Sequence, residues 1–253
     1  MALLHIDSFS TTLNTEMELD VILPETRAQN GWKTLYLLHG MGDDHTAWQR
    51  RTSVERYALE RGIAVIMPEG HMGWYTDMAL GLKYYSYVAV ELPKIARQML
   101  PGLSLRREDT WIAGNSMGGY GAFKCALTAP ETFSQAASLS GALDVAALPA
   151  SSPANAHYWR DVFGPTEDIN GSANDIFAQA SSMRASALRP RMYMWCGTED
   201  FLYSANLRYR DHIRALGYSL TYEESPGDHQ WKYWDAKLPH ILDWFMEYGK
   251  EDE

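Results

Sequence analysis

The sequence predicts an α/β protein with about eight strands in a mostly parallel sheet and helices on both faces. Short segments rich in β-branched and aliphatic residues alternate with helical patterns, which is typical of a parallel sheet whose strands are connected by helices. The chain has 253 residues, of which 46% are apolar, and this is enough to bury a large core. We therefore expect residues 1–253 to form a single domain.

Eight segments have the composition of strands. The first two show partial alternation of apolar and polar residues and are expected to pair antiparallel at one edge of the sheet. The other six are short apolar runs of the kind that a parallel sheet buries on both faces. The predicted strands are residues 3–9, 17–23, 34–38, 63–67, 110–113, 136–139, 192–195 and 220–223.

Five segments between and after these strands have helical character. In the last four, apolar residues recur at three- and four-residue spacing, as an amphipathic helix requires. Pro93 is expected to kink the second helix, because the proline ring clashes with the preceding turn. The predicted helices are residues 54–60, 87–100, 118–129, 206–216 and 231–248.

The segment 141–190 interrupts this alternation. It is too long for a simple connection and is rich in Ala, Ser, Pro and Asn, with scattered aromatic residues. Long segments of this kind in compact domains tend to be functional, so we expect a short cap or cover over the active site. An inert surface insertion is the alternative.

Composition restricts the partners and the location of the protein. The formal net charge of −10 disfavours nucleic acid as a partner, because phosphate binding needs clustered Lys and Arg. No stretch approaches the roughly 18 apolar residues of a membrane span, and residues 1–10 lack the features of a signal peptide. We expect a cytoplasmic protein without a membrane partner, and a homo-oligomer stays possible. Cys125 and Cys196 lie in apolar segments and are expected to be reduced.

Residues 114–118 read Gly-Asn-Ser-Met-Gly, which is the G-x-S-x-G pattern of the α/β-hydrolase fold. The pattern follows a predicted strand and precedes a predicted helix, the context in which a sharp turn exposes the serine. The flanking glycines are needed there, because side chains would collide with the neighbouring strand or helix. The sequence therefore predicts Ser116 as a catalytic nucleophile, and a chance match in a Gly-rich turn is the alternative.

A serine nucleophile needs a histidine base and a carboxylate that orients the base, in the chain order Ser, acid, His for this fold. His229 follows the last predicted strand through a short loop, where the carboxyl end of the strand would deliver it to the site. Asp200 lies on the turn after the strand 192–195, with Glu199 as the rival. We expect Asp200 and His229 to complete the triad.

Two backbone N–H groups must stabilise the oxyanion that forms during acyl transfer. Met117, the residue after the nucleophile, is expected to supply one of them. The strand 34–38 is followed by His-Gly-Met-Gly at residues 39–42, which is similar to the oxyanion loop of esterases. Met41 is therefore expected to supply the second N–H group.

The segment from His39 to His45 mixes imidazole and carboxylate side chains. These are His39, Asp43, Asp44 and His45. Their spacing matches no zinc pattern, and a serine triad needs no metal. We expect no metal and no cofactor.

Taken together, these motifs resemble the esterase D-like family, in particular its tributyrin-esterase branch of small bacterial carboxylesterases. The resemblance implies hydrolysis of short acyl esters by Ser116, Asp200 and His229, with Met41 and Met117 in the oxyanion hole. The similar segments cover most of the chain and are residues 37–42, 67–68, 74–77, 91–93, 114–119, 197–200 and 227–229, with Trp48 after the first of them.

We therefore expect a serine carboxylesterase that acts on acetyl to butyryl esters through an acyl-enzyme. The wider family also contains S-formylglutathione hydrolases, feruloyl and acetyl-xylan esterases and mycolyl transferases, so a thioesterase or an esterase of acylated sugars is the alternative. A binding protein without chemistry is disfavoured, because every catalytic role is filled. Trp48, Trp74 and Tyr75 are expected to contact the substrate, and packing in the core is the alternative for them.

Overall fold

Eight strands form one sheet in the computed structural model, which describes residues 1–25, 29–151 and 153–247, without the side chains of residues 151 and 153. All eight predicted strands are confirmed, most with one or two additional residues at their ends. The strands are β1 Ala2–Ser10, β2 Thr15–Leu23, β3 Lys33–Leu38, β4 Ile63–Pro68, β5 Thr110–Asn115, β6 Gln135–Leu139, β7 Arg191–Gly197 and β8 Leu220–Ser225.

The strand order is β1-β2-β4-β3-β5-β6-β7-β8. β2 runs antiparallel to both β1 and β4. The six strands β3 to β8 are parallel to one another. The predicted antiparallel edge and parallel centre are thus confirmed. Because parallel strands end at the same edge of the sheet, the loops after β3, β5, β7 and β8 meet there.

Helices cover both faces of the sheet, as the sequence predicts. One face packs against α1, α2 and α9, and the other against α3, α4, α7 and α8. The helices of the described residues are α1 Ala47–Arg51, α2 Val54–Arg61, α3 Leu92–Met99, α4 Met117–Thr128, α5 Leu148–Ser151, α6 Ala156–Phe163, α7 Ile176–Ser182, α8 Tyr203–Ala215 and α9 Trp231–Glu247. Cys125 and Cys196 are buried free thiols, and no helix in the described parts of the chain is long and apolar enough to cross a membrane.

The helix predicted at 87–100 is divided in two. Ser86–Glu91 forms a π-helical stretch, and α3 follows directly with Pro93 in its first turn. Proline lacks the N–H that a continuous helix would use, and it is tolerated in a first turn, where that donor is unpaired anyway. The expected kink is therefore a change of helix type at the start of α3.

In its described residues, the segment 141–190 contains three short α-helices, α5 to α7, and three single-turn 3-10 helices. The ring of Trp74 packs against Trp159 and Phe163 with centroids 5.3 and 5.6 Å apart, and its indole N–H donates to Tyr158 Oη at 2.7 Å. Tyr158 in turn donates to the backbone of Met72. The segment is thus packed onto the loop that follows β4.

A buried amine makes a second connection to this segment. Lys124 Nζ in α4 donates to Asn174 Oδ1 at 2.6 Å and to the hydroxyl of Thr76, and it lies over the rings of Tyr85 and Tyr120. Burial lowers the pKa of Lys124 to about 7. Helix α4, which follows Ser116, is therefore connected by the Lys124 side chain to the loop after β4 and to the segment 141–190.

The lowered pKa makes this contact pH-dependent. Between about pH 7 and the ordinary lysine pKa of about 10.4, the unfolded state binds a proton that the native state does not, so stability rises with pH. The free energy of unfolding of the wild type relative to Lys124→Met should therefore rise with pH in that window, by at most about 1.4 kcal/mol per pH unit, and be flat below it. Urea unfolding from pH 6 to pH 10 measures this, with Lys94→Met as the exposed-lysine control. A constant difference across the window contradicts the prediction.

Candidate active site

Ser116 lies at the turn between β5 and α4. Its backbone angles are φ 52° and ψ −117°, which an L-residue rarely adopts. The turn is held by a hydrogen bond from the Ser116 amide to the carbonyl of Leu139 at 2.9 Å, and the Ser116 carbonyl accepts from Ala142 N at 3.0 Å. Strain of this kind persists only where the surroundings hold it, and it is common at functional sites.

Glycines on both sides of Ser116 allow this turn. A Cβ atom at Gly114 would lie 2.5 Å from the carbonyl carbon of Gly118, and a Cβ at Gly118 would lie 2.4 Å from the carbonyl oxygen of Leu38. Backbone atoms cannot move aside cheaply, so no larger residue fits either position. The close packing of β3, β5 and α4 thus requires glycine at both positions, for the reason that the sequence analysis predicted.

The structure brings Ser116, His229 and Asp200 together from three loops. His229 Nε2 lies 3.0 Å from Ser116 Oγ, and His229 Nδ1 lies 2.8 Å from Asp200 Oδ2. The imidazole is held between two rings, with centroids 4.7 Å from Phe201 and 4.9 Å from Trp234. The three side chains form one continuous line of hydrogen bonds.

Asp200 and its rival Glu199 have separate contacts. The Glu199 carboxylate accepts from the backbone N–H of Gly227, and the Glu199 N–H donates to the Gly227 carbonyl at 3.0 Å. Glu199 therefore ties the loop after β7 to the loop after β8, while Asp200 contacts the imidazole. The Glu199 carboxylate therefore connects the two loops, and the Asp200 carboxylate binds the His229 imidazole.

The environment of Asp200 favours its ionised form. Its side chain is fully buried, and burial alone would raise the pKa. Hydrogen bonds from His229, from the backbone N–H of Leu202 at 2.8 Å and from the hydroxyl of Ser140 outweigh this effect and hold the pKa of Asp200 below its usual value. An ionised carboxylate is what keeps a proton on Nδ1 of the imidazole and leaves Nε2 free to accept one.

The two residues expected to supply the oxyanion donors are Met117, which follows Ser116, and Met41, which lines the same cavity as Ser116. Met117 is the first residue of α4, where helix geometry leaves the N–H without an acceptor inside the helix. Met41 follows Gly40, whose carbonyl accepts from Asp43 N at 3.2 Å in a tight turn. Gly40 packs beside Ser116, since a Cβ placed on it would lie 3.6 Å from Ser116 Cβ.

A cavity of about 210 Å³ opens beside the nucleophile. Its wall includes both side chains of the Ser116–His229 pair and two indoles that sequence reasoning missed, Trp231 and Trp234. Their signal in the sequence is their position shortly after His229. The lining residues are Gly40, Met41, Asp43, Asn115, Ser116, His229, Trp231 and Trp234.

The three aromatic residues expected to contact the substrate are core residues. Trp48, Trp74 and Tyr75 are 0, 3 and 0% exposed. Trp48 donates to the carbonyl of Leu38 at 2.9 Å, and Tyr75 donates to the carbonyl of His39 at 3.0 Å. The structure corrects the prediction: Trp48 and Tyr75 bond to the backbone at the end of β3, and Trp74 packs against the segment 141–190, so the polar atoms of all three are used inside the protein.

Among the described residues, none of the segment 141–190 lines this cavity. The segment contacts the nucleophile through the backbone hydrogen bond from Ala142 N to the Ser116 carbonyl. A covering role for this segment stays a prediction.

The chain is similar to known esterases in sequence and in fold. Residues 10–245 match the family model described as "Putative esterase". The chain belongs to this esterase family. An acetyl esterase of Caldicellulosiruptor saccharolyticus is 30% identical over 264 residues, which are 98% of this chain and 99% of the relative. The predicted resemblance is confirmed, and the chain is a carboxylesterase.

Two solved structures from Staphylococcus aureus are similar to this esterase over almost its whole length. The fluorophosphonate-binding serine hydrolase FphF superposes with a TM-score of 0.89 at 34% identity and covers 96% of this chain and 98% of its own. The S-formylglutathione hydrolase FrmB has a TM-score of 0.86 at 33% identity with the same coverage. The α/β-hydrolase fold of the esterase is thus confirmed.

Proposed function

We propose that this carboxylesterase hydrolyses short acyl esters, from acetyl to butyryl, with Ser116 as nucleophile, His229 as base and Asp200 as the acid that orients the base. One observation carries the proposal: an unbroken line of hydrogen bonds runs from Ser116 through His229 to Asp200 at the wall of the cavity. A serine hydroxyl becomes a strong nucleophile only when a base takes its proton, and His229 Nε2 is within reach.

The first half of the reaction forms an acyl-enzyme. Ser116 Oγ attacks the ester carbonyl carbon, its proton passes to His229 Nε2, and the carbonyl oxygen becomes an oxyanion. The N–H groups of Met41 and Met117 donate to that oxyanion, where fixed donors are worth more than water because they need no reorganisation. The bond to the alcohol oxygen then breaks, and His229 returns the proton to the departing alcohol.

The second half releases the acid. A water molecule takes the place of the alcohol, gives a proton to His229 Nε2 and attacks the acyl carbon. The second oxyanion uses the same two donors, and its collapse breaks the bond to Ser116 Oγ, which recovers its proton from His229. Asp200 stays ionised throughout and balances the imidazolium that forms twice.

The size of the cavity supports a short acyl group. About 210 Å³ is below the range of roughly 300–1,000 Å³ that is usual for sites of drug-sized ligands. Two indoles, Trp231 and Trp234, form part of its wall and have few ways to move aside. A lipase-like tunnel would instead gain up to about 0.8 kcal/mol for each methylene group that it buries.

We therefore expect kcat/KM to be highest for acetyl to butyryl esters and to fall before octanoyl. A p-nitrophenyl ester series from acetate to palmitate, measured below the micelle-forming concentration of each ester, gives this profile. A steady rise through octanoate would mean a deep pocket, and the short-acyl proposal would have to be dropped.

The similarity to FrmB favours a second candidate, a thioesterase acting on S-acyl conjugates of a peptide thiol. The same triad chemistry would serve either substrate, because only the leaving atom differs. Acetyl and formyl thioesters of glutathione, compared with oxygen esters of the same acyl groups, distinguish the two. A kcat/KM that is orders of magnitude higher for the thioesters would favour the thioesterase. A feruloyl sugar ester in the same panel tests for an esterase of acylated sugars. A cytoplasmic location stays a prediction from the sequence.

A further inference from the structure

The side chain of Asn115 lies at the wall of the cavity beside Ser116, and the protein does not use its polar atoms. Asn115 is the last residue of β5, it lines the cavity, and it is only 1% exposed. Neither its Nδ2 nor its Oδ1 has a hydrogen-bond partner within the described parts of the chain. Burying an unpaired amide costs free energy, and native structures pair nearly all such groups. An unpaired amide at the wall of a cavity therefore indicates a partner from outside the chain.

A second polar side chain of the same wall is also unpaired. Asp43 lines the cavity, and no described residue donates a hydrogen bond to its carboxylate. The neighbouring carboxylate of Asp44 differs, because it accepts hydrogen bonds from Thr46 and Arg50, none of which lines the cavity. The loop after β3 thus has one carboxylate that holds the loop and one that is available to a ligand.

The two unpaired groups surround one point beside the nucleophile. A Cβ atom built on Gly40 would lie 3.1 Å from Asn115 Nδ2 and 3.3 Å from Asp43 Oδ2. The same point is 3.6 Å from Ser116 Cβ. The first two distances are close to the length of a hydrogen bond. Because Gly40 has no side chain, no carbon atom of the protein stands at this point, and a group of the substrate that comes near it can reach both side chains.

A hydroxyl group matches this pair of side chains. An ionised carboxylate only accepts hydrogen bonds and an amide Nδ2 only donates them, so a group between Asp43 and Asn115 must do both. A hydroxyl donates and accepts, whereas a methyl group would leave both side chains unpaired. Apart from the proposed nucleophile and base, the other side chains of the wall are the mainly apolar Met41, Trp231 and Trp234. The polar groups are thus confined to one part of the cavity.

We propose that the Asp43 carboxylate and the Asn115 amide form a subsite for a hydroxyl group next to the scissile ester bond, so that the esterase prefers hydroxylated short esters to plain alkyl esters. The inference rests on the proposed hydrolysis at Ser116 and narrows its substrates. The hydroxyl belongs either to the alcohol, as in the monoester of a diol, or to the acyl group, as in the ester of a hydroxy acid. A site that bonds a hydroxyl discriminates against the analogue without it, because its own polar groups are then left unpaired.

Two pairs of esters of matched shape test the subsite. Hydroxyethyl butyrate and propyl butyrate differ by a hydroxyl in the alcohol, and ethyl lactate and ethyl isobutyrate differ by a hydroxyl in the acyl group. Within each pair a hydroxyl replaces a methyl group of similar size. The measured quantity is the ratio of kcat/KM for the hydroxylated ester to kcat/KM for its partner. Comparing this ratio between the wild type and a variant cancels the intrinsic reactivity of the two esters.

Asp43→Ala should lower the ratio of one pair by about 10- to 100-fold, which is the usual effect of a hydrogen bond to a charged group. Asn115→Ala should lower the same ratio by about 2- to 10-fold, since its amide is neutral. The double variant should lose little more than Asp43→Ala alone, because both side chains bind one hydroxyl. Asp44→Ala removes the neighbouring carboxylate and is the matched control, which should keep the ratio of the wild type. The pair that responds shows whether the hydroxyl lies in the alcohol or in the acyl group.

The proposal is overturned if neither pair responds to Asp43→Ala, or if Asp44→Ala lowers the ratio as much. Additive losses in the double variant also overturn it, because the two side chains then bind different groups. Circular dichroism confirms that each variant is folded, and if Asn115→Ala is not, the comparison of Asp43→Ala with Asp44→Ala decides. A wild type that hydrolyses all the esters with ratios that no variant changes contradicts the subsite alone. A wild type that hydrolyses none of them contradicts ester hydrolysis at Ser116, and the subsite falls with it.

Discussion

Ser116→Ala should lower kcat for a short acyl ester by about 10⁶-fold while leaving the fold intact, because it removes the hydroxyl that lies 3.0 Å from His229 Nε2 and would form the acyl-enzyme. His229→Ala should have a similar effect, and the double variant should be no worse than either single one, since members of a triad act as a unit. Steady-state rates with p-nitrophenyl butyrate measure these losses. Ser182→Ala, an exposed serine in α7, is the control and should keep full activity.

Labelling tests the same assignment without kinetics. An organophosphate should modify Ser116 alone and stop turnover, and mass spectrometry of the digested protein locates the label. Loss of activity with the label on another residue would mean that the nucleophile has been misassigned. Additive losses in the double variant would count against a shared mechanism for Ser116 and His229.

Asp200→Asn should lower kcat by about 10⁴-fold with little change in KM, as in the serine protease example from which this magnitude is taken. An amide can donate to His229 Nδ1 and so favours the tautomer that cannot accept the Ser116 proton. Glu199→Gln is the matched control: it changes the neighbouring carboxylate, which contacts Gly227 and not the imidazole. We expect only a small loss there, from a looser loop. If Glu199→Gln is the more damaging change, the acid is Glu199.

The sheet could be predicted because its strands are short apolar runs with a clear signal. All eight were predicted, and G-x-S-x-G together with the order of acid and base then pointed to Ser116, Asp200 and His229, which the structure brings together. The sequence left Glu199 as a rival of Asp200, because either carboxylate can serve in this fold, and only the structure shows that Asp200 contacts the imidazole and Glu199 a backbone N–H.

The aromatic wall could not be predicted, because an indole suits a core and a binding surface equally well. Trp48 and Trp74 were expected at the substrate, yet both are buried in the core, while Trp231 and Trp234 line the cavity. Burial of an aromatic ring depends on which loops fold over it, and that is a tertiary property.

The carboxylate of Asp43 has a consequence for the approach of substrates. It is part of the cavity wall, and burial raises the pKa of Asp43. In its ionised form it adds a negative potential to the cavity, on a chain whose net charge is already −10. We therefore expect esters with a cationic alcohol to react faster than esters with an anionic alcohol. Because mobile ions shorten the range of this potential, added salt narrows the difference in rate between the two.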